Sequence, residues 1–153
     1  MKKVASAQGT LVLTQRKLPS ECKVHLRIDQ GGNKDSGYFG VGICQASLLN
    51  LKPFFVHQRD TGNFISYMNY KGSGMLIVGG KEEKQQYGES YSAGDIITID
   101  LNTTEEYLIF YKNGKKFSKI MLTDLTTRNF HLAVWMNYIG DQVSIITEKD
   151  VDD

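Results

Sequence analysis

Residues 94–101 read GDIITIDL, and residues 108–115 read LIFYKNGK. In the first run Ile97, Ile99 and Leu101 fall on one face and Thr98 and Asp100 on the other. That period of two marks a strand with one buried and one wetted face. Leu108 and Phe110 continue the pattern on the next strand. The second run ends at Asn113-Gly114. A two-residue type I′ turn needs positive φ at both central positions, and Asn-Gly adopts it at little cost. These two runs carry no nucleophile and no evident metal-ligand set, so the best-marked strands serve the fold, not chemistry.

The same alternation extends in both directions. In Lys23-Val24-His25-Leu26-Arg27-Ile28-Asp29, the apolar residues share one face, with His25 on the wet one. Leu11-Val12-Leu13 is a shorter candidate strand. Residues 30–37 read as a loop, rich in Gly, Asn, Asp and Ser. In Tyr38-Phe39-Gly40-Val41-Gly42-Ile43-Cys44 the two glycines face opposite to Phe39, Val41 and Ile43, where a neighbour must approach the backbone closely. Residues 46–62 form a long irregular stretch in which Leu48-Leu49-Asn50-Leu51 is a candidate helical turn. Its adjacent Phe54 and Phe55 suggest one buried ring and one partly exposed ring. Strands are expected at 64–70 and 75–78 around a 71–74 turn. Residues 79–90 are polar and read as surface. Phe117 and Ile120 lie on the return of the Asn-Gly hairpin. Residues 132–136 and 143–146 are the last strands, and the acidic tail from Glu148 to Asp153 is expected to fray.

Ten or more short strands are too many for one open sheet of this size. The sequence is therefore read as all-β, a sandwich of two antiparallel sheets. With 153 residues, 41% apolar and 23% charged, the chain suits one globular domain. Lys plus Arg is 18 and Asp plus Glu is 17, a net charge of +1. That balance argues against a nucleic-acid binder relying on bulk charge. No run approaches the roughly 20 apolar residues of a membrane span, and MKKVASAQGT has no apolar stretch resembling a secretory signal. No membrane association is expected. Cys22 and Cys44 read as free thiols in a reducing compartment, with one disulfide as the other reading. The sequon Asn102-Thr103-Thr104 reads as a hairpin loop.

The histidines, His25, His57 and His131, have no sequence context that suggests a nucleophile, base and orienting group acting together. No Cys-x-x-Cys or His-x-x-x-His spacing marks zinc. Neither 72–74 nor 79–81 opens a helix that would hold phosphate. No enzyme activity, metal or cofactor is expected. Lys112, Lys115, Lys116 and Lys119 gather around the Asn-Gly hairpin. They read as charges that guard an edge, or as a docking patch for an acidic partner. Trp135 shares a face with Ala133 and opposes Val134 and Met136. If the latter two point to the core, Trp135 either packs on the outer sheet face or lines a recognition groove.

Several blocks resemble one family. Tyr87-Gly88-Glu89-Ser90-Tyr91, Gly94-Asp95-Ile96-Ile97 and residues 108–115 resemble the core signature of SPRY domains. Phe39-Gly40-Val41-Gly42 is similar to the family's early Gly-Val strand. Leu132-Ala133-Val134 and Gln142-Val143-Ser144-Ile145 are similar to its closing strands. The resemblance covers about residues 24–146 and rests on the order and spacing of the blocks. Tyr67 stands where the family often has Trp, and Leu132 where Pro is common. The extra N-terminal strands of the longer TRIM-type version are absent or reduced to the first twenty residues.

The resemblance implies a twisted two-sheet β-sandwich of the concanavalin-like jelly-roll kind. It would be a single domain over 1–153, with a core at 24–146, short N-terminal strands in 1–20 and the tail at 147–153. It also implies a non-catalytic module that binds a protein or short peptide through loops at one rim. By position, those loops contribute Asp35 and Ser36; then Phe55, His57, Gln58 and Arg59; then Asn137 and Tyr138. Phe55, Tyr138 and, in the groove reading, Trp135 would be anchors. A monomeric, cytoplasmic adaptor domain is expected, alone or within a larger protein. A lectin-like sugar binder using Asp141, Asn137 and Tyr138 is the alternative, and a structural part of a larger assembly using a sheet face is a third.

Overall fold

The computed structural model describes residues 2–4, 10–31, 38–45, 64–70, 72–78, 84–123, 129–136 and 140–151. The described strands are β1 (Lys2–Val4), β2 (Thr10–Leu13), β3 (Glu21–Gln30), β4 (Tyr38–Cys44), β5 (Phe64–Tyr70), β6 (Ser73–Val78) and β7 (Lys84–Gln86). They continue with β8 (Ile96–Asn102), β9 (Tyr107–Lys112), β10 (Lys115–Lys116), β11 (Ile120–Met121), β12 (His131–Met136) and β13 (Gln142–Ile146), before a four-residue helix α1 (Glu148–Val151). One sheet has the order β1-β13-β3-β8-β9-β10, with β11 also on β9; the other is β2-β12-β4-β5-β6-β7. All the pairings are antiparallel.

The opening stretch pairs as its alternation requires. Ile99 faces Phe110 and Leu101 faces Leu108 across β8 and β9, and all four are fully buried. Asn113 and Gly114 have φ of 48° and 81°, the double positive φ that a type I′ turn demands. The main core joins Leu26, Ile28, Ile97, Ile99 and Phe110 of the seven-stranded sheet to Phe39, Val41, Ile43, Ile65, Tyr67 and Val134 of the six-stranded sheet. The two inner faces thus make one β-sandwich. Truncating any of these large side chains to alanine removes packing worth about 2–5 kcal/mol.

The glycines of β4 make room for β5. A Cβ on Gly40 would meet the side chains of Met68 and Ser66, and one on Gly42 would meet the backbone carbonyl of Ile65. The neighbour anticipated from the sequence is therefore the adjacent strand. Trp135 has the outward direction that Val134 and Met136 in the main core leave to it. It lies in a second apolar cluster with Cys44, Phe64, Met68, Ile77 and Ala133, 5.7 Å from the Phe64 ring centre. It is only 5% exposed.

Two expectations are corrected. Residues 79–90 are not uniformly surface: β7 pairs with β6, and Tyr87 is buried in the main core. The polarity of residues 84–86 hides the strand: Gln85 and Gln86 are exposed on an edge strand. The tail begins with the helix α1, with Glu148 Oε1 4.0 Å from Nε2 of His25. His25 lies on the outer face as expected, yet it is buried, its Nδ1 2.8 Å from Thr98 Oγ1.

Candidate partner-binding rim

The strand registers sort the connections between the two ends of the sandwich. β3 ends at Gln30, opposite Gln142 at the start of β13. β4 starts at Tyr38, opposite Tyr70, and Met136 at the end of β12 is opposite Phe39. The chain therefore passes from the seven-stranded to the six-stranded sheet between Gly31 and Tyr38. It returns between Met136 and Gly140 at the same end. Because β13 pairs β3 and β12 pairs β4, the two crossings leave from neighbouring strands. Asp35, Ser36, Asn137 and Tyr138 belong to these crossings and lie outside the described residues.

The third expected segment is anchored differently. Phe55, His57, Gln58 and Arg59 fall between Cys44 and Phe64, which pair at the opposite end of the sheet. They too lie outside the described residues, as do Phe54 and the Leu48-Leu51 stretch. Returning from Cys44 to the Gly31 end means covering the length of seven-residue β5, about 20–25 Å of extended strand. Of the nine expected site residues, Trp135 alone lies among the described ones. It sits on the outer face of the six-stranded sheet, with its indole Nε1 buried and without a hydrogen-bond partner among the described residues.

At the described residues flanking the two crossings is a packed cluster. Gly31 has φ +129°, and a Cβ there would come within 2.8 Å of the Phe39 ring and 3.0 Å of Asp141 Oδ1. Only glycine lets these three meet. Asp141, a contact in the sugar-binding reading, is 6% exposed and belongs to this cluster. Beside it, Ser144 Oγ donates to Asp29 Oδ2, and Asp29 Oδ1 accepts from Arg27 Nε at 2.8 Å.

The other half of this end is a polar lattice. Lys112 Nζ donates to the Ser90 carbonyl at 2.8 Å and lies 3.6 Å from Glu89 and 3.9 Å from Asp95. Lys115 pairs with Glu89. The Lys115 ammonium, bonded to it, holds the Glu89 carboxyl below its ordinary 4.5. Two of the four hairpin lysines are thus neutralised within the domain. Glu89 was not singled out from the sequence, since its partners lie far along the chain.

Three buried tyrosines tie this lattice to the core. Tyr91 Oη shares its single proton between the carbonyls of Phe39 and Tyr67, at 3.0 and 2.7 Å. Tyr67 Oη donates to the Glu89 carbonyl, and Tyr87 Oη to that of Ser118 at 2.7 Å. Burial pushes the Tyr87 phenol up to about 12 and raises the phenols of Tyr67 and Tyr91 as well. These hydroxyls act as hydrogen-bond donors and do not ionise near neutrality. His131 Nδ1 lies 2.8 Å from the Thr14 carbonyl. Among the described residues no three His, Cys, Asp or Glu side chains group as a metal site. None of the described helices is long and apolar enough to cross a membrane.

The fold has close counterparts. The SPRY domain of human HERC1 superposes with a TM-score of 0.74 at 22% identity, covering 94% of this chain and 86% of that one. Another human SPRY domain gives 0.68 at 21% identity, covering 92% and 86%. The PSpry domain of TRIM65 gives 0.63 at 11% identity, covering 94% and 73%. A search of curated protein sequences returned no match. The profile of the SPRY domain family matches residues 23–150. The chain therefore belongs to the SPRY domain family, whose members are in general protein-interaction modules.

Proposed function

We propose that this domain is a non-catalytic adaptor that captures a short peptide or a partner surface at the Gly31 end of the sandwich. The observation that carries this is the pair of neighbouring crossings, β3 to β4 and β12 to β13, flanked by the close-packed Gly31, Phe39 and Asp141. A rigid cluster flanking two connections lowers the ordering cost of binding. In this reading Tyr138 is an anchor, with Asp35, Ser36 and Asn137 setting the register of the ligand. Phe55, His57, Gln58 and Arg59, from the segment between Cys44 and Phe64, would join them in holding the ligand, with Trp135 as a further apolar contact.

The test is selection of a random peptide library on the wild-type domain, followed by affinity measurement on Tyr138→Ala, Phe55→Ala and Asp35→Ala. Selected peptides are expected to lose about tenfold or more in affinity on Tyr138→Ala, since a few aromatic anchors dominate such sites. Peptides that bind all three variants as tightly as wild type place the binding surface elsewhere.

A further inference from the structure

The outer face of the seven-stranded sheet carries an apolar stripe away from the rim. Register places Met121 beside Tyr107, and Ile109 beside Asp100. Tyr111 stands between Thr98 on one side and Lys116 on the other. Tyr107, Ile109 and Tyr111 share this face because they alternate with the buried Leu108 and Phe110. Met121 is 53% exposed, more than any other large apolar side chain among the described residues. The two tyrosines are half-buried and Ile109 between them is buried, so the stripe is exposed at Met121 and at the edges of the two rings.

Exposed lysines stand around this stripe. Lys119 Nζ lies 4.5 Å from the centre of the Tyr107 ring, and Lys23 Nζ lies 6.0 Å from that of Tyr111. Lys116 is the register partner of Tyr111. Among the described residues, none of the three has a carboxylate within ion-pair distance. Lys112 and Lys115, from the same hairpin, are paired with Glu89. The hairpin thus sorts its cations, neutralising those toward the rim and leaving those on the sheet face open. Edge protection accounts for Lys116 on β10. It does not account for Lys23, which stands on the interior strand β3, or for an exposed Met121 beside Tyr107.

We propose that this stripe is a second docking surface, separate from the rim, for an acidic protein segment with apolar side chains set among its carboxylates. The segment's carboxylates meet Lys23 and Lys116 at the Tyr111 end, and its apolar side chains cover Met121 and Tyr107. Charge complementarity selects this occupant over a nucleic acid. A phosphate backbone is held by many cations acting together, whereas this face has few. Asp100 lies within it, accepting from Tyr111 Oη at 3.4 Å, and the chain's net charge is only +1. Exposed aromatic and methionine side chains suit a protein partner, at whose interfaces they are enriched.

The test is titration of isotopically labelled domain with a short capped peptide of alternating glutamate and leucine, followed by amide chemical shifts at low salt. Shifts are expected to concentrate at 107–121, 98–100 and 23. The double variant Lys23→Glu, Lys116→Glu is expected to weaken binding about tenfold, about 1.4 kcal/mol. Met121→Ala, which keeps the charges, gives a smaller loss. Shifts confined to Gly31, Met136 and Asp141, or affinity unchanged by the charge reversals, overturn the proposal. So does a single-stranded oligonucleotide that moves the same amides at lower concentration than the peptide.

Discussion

Asn113 and Asp95 lock two turns of the seven-stranded sheet together, Asn113 Nδ2 donating to Asp95 Oδ1 at 2.9 Å. The other end of the same amide accepts from the Ile96 N–H at 2.8 Å, and the Asn113 N–H donates to the Ile96 carbonyl at 2.8 Å. Asp95 also accepts from the Ser92 N–H at 2.9 Å. Asparagine at this position therefore does more than tolerate positive φ. It ties the Asn-Gly hairpin to the turn before β8.

Replacing Asn113 by glycine keeps the backbone conformation and removes only the side-chain bonds. Asn113→Gly is expected to cost about 1 kcal/mol. Asn113→Asp sets a carboxylate against Asp95 and is expected to cost more. Urea midpoints at unchanged m-value check the order.

Gly40 and Gly42 look equivalent in the sequence and are not equivalent in the fold. A Cβ on Gly42 meets the Ile65 carbonyl, which belongs to the paired strand, while one on Gly40 meets side chains that can turn aside. Gly42→Ala is expected to destabilise by about 3 kcal/mol or more, and Gly40→Ala by about 1 kcal/mol. Thermal unfolding of the two variants side by side decides between this ranking and equal effects.

Tyr91→Phe leaves the ring and removes the hydroxyl that serves two carbonyls. The loss is expected to be about 1–3 kcal/mol, because the carbonyls of Phe39 and Tyr67 lose a donor inside the core. Equal stability of Tyr91→Phe and wild type in urea contradicts that role.

The Glu89–Lys115 pair carries a pH signature. A carboxyl held below its ordinary 4.5 in the folded state adds stability above that value and loses it as pH falls through the folded pKa. The carboxyl carbon shift of Glu89 is expected to titrate below 4.5 in wild type and to move upward in Lys115→Ala. A midpoint that ignores the lysine rules the pair out as its cause.

Cys22 and Cys44 are free thiols. Burial pushes the Cys44 thiol up to about 12 and raises Cys22 with help from Asp100. Because the folded state holds the Cys44 proton more tightly, this contribution is complete below the unfolded value of 9.0. It declines as pH rises through the folded value. Native protein is expected to react with a disulfide reagent at pH 8 at least about tenfold more slowly than unfolded protein. Equal rates in the two states refute the buried thiol.

Local chemistry alone specified much of this protein. Strict alternation in residues 96–101 and 107–112 defined strands, their inward faces and their pairing, because side chains in a strand change sides at every residue. Asn113-Gly114 defined its turn because few residue pairs accept two positive φ angles. Long-range relations were not legible there. Lys112 and Lys116 look alike in sequence, yet one meets Glu89 from 23 positions away while the other stands open beside Tyr111. Tyr87 and the edge strand before it were hidden by polar neighbours. Trp135 had its direction assigned by parity, but its burial against Phe64 depended on the neighbouring strands. The opposite anchoring of the segment between Cys44 and Phe64 emerged only from the strand order. Covalent sequence carries local periodicity and backbone preference; the choice among equally suitable partners is made when two sheets stack and bring distant residues within a few ångströms.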